Sequence, residues 1–417
     1  MMRLLIAALF ALLPIAADAA CRPGIYGEGS DLVILGAAVP GADSQRWLYM
    51  DGRRGMTGRD SGLSCADDIV SVAGRRLSRQ TTGETASRFT SHETMLAGQL
   101  IEPPGPADPR HPLVVMVHGS EKTAAIGSVY GYALAAQGIG VFVYDKRGTG
   151  ASEGIYSQNF ELLADDAAAA LAEARRLAPG RFGRAGYFGG SQGGWVAPLA
   201  ATRSAADFVA VGFGLVASPI DEDRDQLLDE ARIAGLDARA TDQVQRLSAA
   251  TATIVGSHFE QGHDALAALR REIGDAPWAR TINGEYSGQM LRMDEADLRR
   301  IGRALFDNLG LIWDYDAIAA LRRLKVPLLW VLAGEDREAP IAQTRAALLG
   351  LARNGQPIDL YLFPDTDHGM VEYRIAADGA RSPTRITDGY LRLLGDWIRG
   401  APAGRYGRGE RLHHGTR

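Results

Sequence analysis

Across 417 residues there are only two cysteines, Cys21 and Cys65, and no run of Lys and Arg long enough to grip a phosphate backbone. The net charge of −5 at pH 7 supplies no basic field, and no aromatic-basic patch appears, which argues against a nucleic-acid partner. No H-E-x-x-H or comparable ligand cluster occurs, so nothing calls for a metal or another cofactor. Internal repeats and low-complexity tracts are missing as well, which sets aside solenoids and arrays. The one long apolar run, from Leu4 to Ala17, is too short to span a bilayer comfortably and predicts no stable membrane span.

What the first 20 residues do hold is an early cation (Arg3), that apolar run, and small residues before Cys21. This is the layout of a secretory signal, with Ala17-Asp18-Ala19 as the cleavage site. It predicts a secreted or periplasmic protein. In such a compartment the pair Cys21 and Cys65 predicts a disulfide. A cysteine just after a signal can instead carry a lipid, and an anchor on Cys21 is the alternative. The two fates exclude each other.

Residues 21–85 read as a small β-rich module, with "DLVILGAAV", "RWLYMD" and "IVSVAG" separated by turn-forming residues. Then the pattern changes. "LVVMV" (Leu113–Val117) is a continuous apolar run of the kind a parallel sheet buries on both faces. Helical sequence over 124–137, "VFVY" at 141–144, an Ala-rich helix near 160–177, "AGYF" at 185–188, helical sequence over 191–202 and "FVAVGF" at 208–213 follow in turn. Such alternation implies right-handed crossovers. It lapses over 218–323, which is charged and helical in period, and resumes with "VPLLWVLAG", "IDLYLF" and an amphipathic helix over 383–398. The predicted fold class is α/β: a mostly parallel, doubly wound sheet built from 86–217 and 324–400. A helical cap, 218–323, would lie over the crevice at the strands' C-terminal ends. The tail, 401–417, reads as disordered.

Two stretches match G-x-S-x-G, "GASEG" at 150–154 and "GGSQG" at 189–193. A nucleophilic serine on an α/β sheet needs a sharp strand-to-helix turn. Ser191 has a strand before it and helical sequence after it, whereas Ser152 lies several residues past its strand and precedes no helix start. A serine hydroxyl needs a base, and that base an orienting carboxylate, following the serine in the order acid then histidine. His368, in "DTDHGM", is the one later histidine just beyond a core strand. Asp336, in "AGEDREAP", follows the preceding strand, with Glu335 and Glu338 as rivals beside it. Asp365 and Asp367 flank the histidine, and Asp221 stands at an earlier strand end. Oxyanion donors are expected at the N–H of Gln192, after the nucleophile, and of Ser120 in "VMVHGSEKT", after the first buried strand.

Taken together, strand-"HGS", "YDKRGTGAS", "GGSQGG", "AGEDREAP" and "DTDHGM" resemble the α/β-hydrolase superfamily over 88–217 and 324–398. The similarity is greatest to its secreted esterase and prolyl-oligopeptidase-like branch. The resemblance implies Ser191 as nucleophile, Asp336 as acid, His368 as base, and Ser120 and Gln192 as oxyanion donors. It makes the Ser152 loop structural. It implies a small-molecule ester as substrate, with short peptides or thioesters as alternatives. The chain departs from many lipases in having "HGSE" where they carry HGGG. In the cap, Trp278, Phe306, Trp313 and Tyr315 are candidates for an apolar acyl pocket or for plain packing.

Overall fold

Runs of β-branched and aromatic residues bounded by Gly and Pro become the strands of one nine-stranded sheet in the computed structural model. The structure describes residues 21–38, 44–58, 62–66 and 68–415, so the expected signal at 1–20 lies outside the described residues. In chain order the strands are β1 (Gly83–Ser91), β2 (Thr94–Glu102), β3 (Leu113–Val117), β4 (Gly140–Tyr144), β5 (Ala185–Gly190), β6 (Val209–Gly212), β7 (Leu328–Ala333), β8 (Ile358–Phe363) and β9 (Glu410–His413). Their order in space is β1-β2-β4-β3-β5-β6-β7-β8-β9. Strands β3 to β8 are parallel to their neighbours, while the β1–β2 hairpin and β9 run antiparallel at the edges. The order reverses at β3, leaving a crevice between the C-terminal ends of β3 and β5.

Both faces of the sheet are buried. One core gathers Val115, Tyr187, Trp195 and Trp330, the other Val114, Phe188, Leu329 and Trp397. Between β6 and β7 the chain leaves the sheet to form helices Pro219–Ile233, Ala238–Gly256, His263–Ile273, Ser287–Arg292 and Glu295–Phe306. These share a separate apolar core around Leu247, Leu266 and Met290. Among the described residues no helix is long and apolar enough to cross a membrane. At the N-terminus, a four-stranded and a three-stranded antiparallel sheet carry the Cys21–Cys65 disulfide, with Cα atoms 5.6 Å apart.

Four expectations need correction. Over its described residues, 401–415, the tail is not disordered: Glu410–His413 pairs with Ile358–Phe363 as β9, and Arg411 and His414 bond the Asp359 carboxylate. Main-chain pairing to an open sheet edge holds it there, together with Tyr406 buried against Tyr361 and Leu412 packed on the core. Residues 383–398 are not one helix. Arg381–Ile386 is a strand of a small sheet, with Pro383 opposite Tyr373, and the helix is Tyr390–Ile398. The cap does not reach 323, because helix Ala317–Arg323 packs through Ala320 and Leu321 on the main core. The N-terminal module ends before 85, since β1 begins at Gly83.

Candidate active site

Ser191 sits between β5 and helix Gly193–Ala201 with φ +52°, a left-handed conformation that L-residues adopt at a cost of roughly 1–2 kcal/mol. The turn closes only because its neighbours are glycines. A Cβ on Gly189 would lie 2.5 Å from the Gly193 carbonyl oxygen, and one on Gly193 would lie 2.6 Å from that of Val117. The tight turn projects the Ser191 side chain into the crevice.

His368 follows β8 at the same edge. Its Nε2 is 3.1 Å from Ser191 Oγ and its Nδ1 is 2.9 Å from Asp336 Oδ2. Asp336, buried to 1% side-chain exposure, accepts the N–H groups of Glu338 and Ala339 on its other oxygen at 3.1 and 2.7 Å. The Phe213 ring packs edge-on against the imidazole, 5.1 Å between centroids. The rival acids are engaged elsewhere. Glu335 pairs with Arg381, Asp365 with Arg408, Asp367 with Arg381 and Asp221 with Arg224. Glu338 is the exception: its Oε1 lies 3.5 Å from His368 Nε2.

The adjacency of β3 and β5 brings the two expected N–H donors to one place. A Cβ on Gly119 would lie only 3.3 Å from Ser191 Cβ, so the loop carrying Ser120 abuts the serine. Among the described residues, neither the Ser120 N–H nor the Gln192 N–H donates a hydrogen bond. A developing oxyanion requires N–H donors that are free to turn to it. His118 turns away, its Nε2 bonded to the Tyr144 carbonyl at 2.7 Å.

Ser152 lies apart from this group. Its hydroxyl accepts the Ala97 N–H at 2.9 Å and donates to the Asp145 carbonyl at 2.6 Å, which ties its loop to β2. Of the cap aromatics, Trp278 lines a cleft of about 440 Å³ shared with Glu230, Asn283, Arg337 and Glu338. Trp313 packs on Tyr286, Phe306 on Phe259 and Tyr315 on Phe160.

Sequence reading named Asp336, Glu338 and Asp367 beside the imidazole but not the cap carboxylates Glu285 and Glu222. Burial lowers the His368 pKa, but the bond to Asp336 and the charges of Asp336, Glu338 and Asp367 outweigh it and raise the pKa to about 9. In the cap, desolvation and then Glu338 and Asp223 push Glu285 up to about 7, although water still reaches its crevice. Desolvation, Glu285, Glu338 and Asp336 hold Glu222 well above the carboxylate range. Their acidic residue type was visible in the sequence, but which helix face meets the crevice was not.

Residues 108–252 match the model of the Hydrolase_4 family, described as serine aminopeptidase, S33. That match spans β3 to β6 with the serine turn and part of the cap, and ends before Asp336 and His368. The chain has the α/β-hydrolase fold. No curated protein matches it. Among solved structures, the hydrolase is similar to a Pyrococcus furiosus esterase at 14% identity and TM-score 0.42, covering 69% of this chain and 85% of that one. It is similar to a Pyrococcus horikoshii acylaminoacyl peptidase at 16% identity and TM-score 0.43, covering 82% of this chain and 45% of the peptidase. It is also similar to a proline iminopeptidase of Mycobacterium smegmatis at 18% identity and TM-score 0.41, covering 68% and 91%.

Proposed function

We propose that this hydrolase cleaves carboxylic esters through an acyl-enzyme on Ser191. The observation that carries the reading is the continuous chain Ser191 Oγ, His368, Asp336, at 3.1 and 2.9 Å. Ser191 Oγ attacks the carbonyl carbon while His368 Nε2 takes its proton. The carbonyl electron pair moves onto oxygen, where the N–H groups of Ser120 and Gln192 stabilise it. His368 then returns the proton to the departing alcohol as the C–O bond breaks. Water, deprotonated by the same nitrogen, releases the acid. Asp336 fixes the imidazole tautomer with its proton on Nδ1 and stabilises the imidazolium. The disulfide supports an exported, secreted or periplasmic location.

A second reading, cleavage of short peptides with a free amino terminus, is favoured by Glu338 and Glu285 near the imidazole and by Glu222, which interacts with both. An ammonium group on a substrate would neutralise carboxylates that otherwise repel one another.

The test compares Ser191→Ala with Ser152→Ala on a short p-nitrophenyl ester and on aminoacyl p-nitroanilides. Loss of at least about 10³-fold for Ser191→Ala alone is expected. A faster kcat/KM on the anilides, with Glu338→Gln raising KM for them only, selects the peptidase reading. Full ester activity in Ser191→Ala overturns both.

A further inference from the structure

In the loop "YDKRGTGAS" one residue stands apart from its neighbours. Asp145 accepts the N–H groups of Ala125, Ile126 and Ala151. Arg147 makes a buried two-pronged pair with Asp166 at 2.8 and 2.6 Å. Lys146 is also buried, at 3% exposure, yet among the described residues no carboxylate pairs with its ammonium. Its Nζ donates to the Gly119 carbonyl at 2.5 Å and lies 5.0 Å from the centre of the Tyr156 ring. The Tyr156 hydroxyl donates in turn to the Ser120 carbonyl. Desolvating an ammonium costs several kcal/mol, and an apolar side chain would pack this spot without that cost. What the charge does contribute is control of one peptide group.

Gly119 and Ser120 share that group. Its oxygen is the one Lys146 holds, and its N–H belongs to Ser120. In a planar trans peptide the two point in opposite directions, so fixing the oxygen aims the N–H. The aim is toward the nucleophile, because this loop abuts Ser191 and leaves the Ser120 N–H unused. A cation on the carbonyl also polarises the amide and strengthens its N–H as a donor. We infer that Lys146, braced by Tyr156, is a positioning residue that directs the Ser120 N–H at the developing oxyanion. This rests on the oxyanion reading above. Burial draws the Lys146 pKa down to about 8 against the pull of Glu121, so at pH 7 most of the group is still ammonium. His118 and Lys122 are the other charged or titratable neighbours of this cluster.

The experiment compares wild type, Lys146→Met, Lys146→Arg and Tyr156→Phe at pH 7. One arm measures hydrolysis of a short p-nitrophenyl ester. The other measures inhibition by a trifluoromethyl ketone: Ser191 Oγ adds to its carbonyl carbon, the serine proton passes to His368, and the carbonyl pair stays on oxygen as an oxyanion. Lys146→Met is expected to lower kcat about 10- to 100-fold with KM within twofold, below the loss of a whole donor. The ketone's inhibition constant should rise by the same factor. Lys146→Arg should recover most of the loss. Should Lys146→Met fail to fold, Tyr156→Phe carries the same comparison with a smaller loss, about 3- to 10-fold. An unchanged rate, or a rate loss with unchanged ketone affinity, overturns the inference. Ser191→Ala separates the two levels. If it stays active, the site reading fails, whereas an inactive Ser191→Ala beside a fully active Lys146→Met refutes the role of Lys146 alone.

Discussion

Replacing Glu338 by glutamine should make the enzyme faster at neutral pH. His368 must be neutral to accept the Ser191 proton, and its pKa near 9 leaves only about one molecule in a hundred competent at pH 7. Activity is therefore expected to climb with pH until it levels near 9. Glu338 contributes to that high value from 3.5 Å, on the same nitrogen that faces the serine. Its side chain is 53% exposed, so the interaction belongs at the water-like end of the dielectric range, about 1 kcal/mol at this separation. At 1.36 kcal/mol per unit, removal of the charge moves the limb down by about 0.5–1 unit. The sign follows directly: a lower pKa frees more neutral imidazole, and kcat/KM at pH 7 rises about 3- to 10-fold. The assay is a pH profile of kcat/KM on a p-nitrophenyl ester, read at a wavelength where phenol and phenolate absorb equally. In 1 M salt the gap between variant and wild type should narrow, because the Debye length falls to about 3 Å. A limb that stays in place, or a variant slower than wild type at pH 7, would sink the electrostatic argument. Asp336→Asn is the contrasting case, where the limb also falls but kcat drops by about 10³–10⁴ because the imidazole loses its tautomer and orientation.

Three further outcomes are open to measurement. Ser152→Ala should keep its rate within about twofold while losing about 1–2 kcal/mol of stability, since two hydrogen bonds to Ala97 and Asp145 vanish; urea unfolding reads this. Arg147→Ala strands the buried Asp166 carboxylate and should cost about 3–5 kcal/mol, visible as a large fall in Tm. Reducing the Cys21–Cys65 bond, which spans 44 residues of sequence, should destabilise by about 2–4 kcal/mol and leave kcat untouched, because the N-terminal sheets supply no residue to the Ser191–His368–Asp336 chain.

The turn at Ser191 was legible because its causes are local. Gly189 and Gly193 are there for backbone clearance that a short sequence window displays. Asp336 and His368 were legible by order along the chain, since parallel strands deliver their following loops to one edge. Other features depend on what comes from far away. Nothing in "GERLHHGTR" resembles a strand until Ile358–Phe363 offers it an unpaired edge. "RSPTRI" looked like a helix start, yet it pairs with Val371–Ile375. The span from Lys146 to Gly119 crosses 27 residues, and no periodicity encodes which carbonyl a long side chain will reach. The cap acids were visible as composition, but the faces they occupy depend on how the helices dock.

The placement of β9 has a consequence for biogenesis. It is the last of the nine strands to be synthesised, and it covers the strand that leads directly into His368. Until it arrives, β8 presents a row of unpaired amides and carbonyls, an open template for another chain. A nascent hydrolase thus assembles its serine turn well before its sheet is sealed. The interval between the two is when it would be most exposed to aggregation.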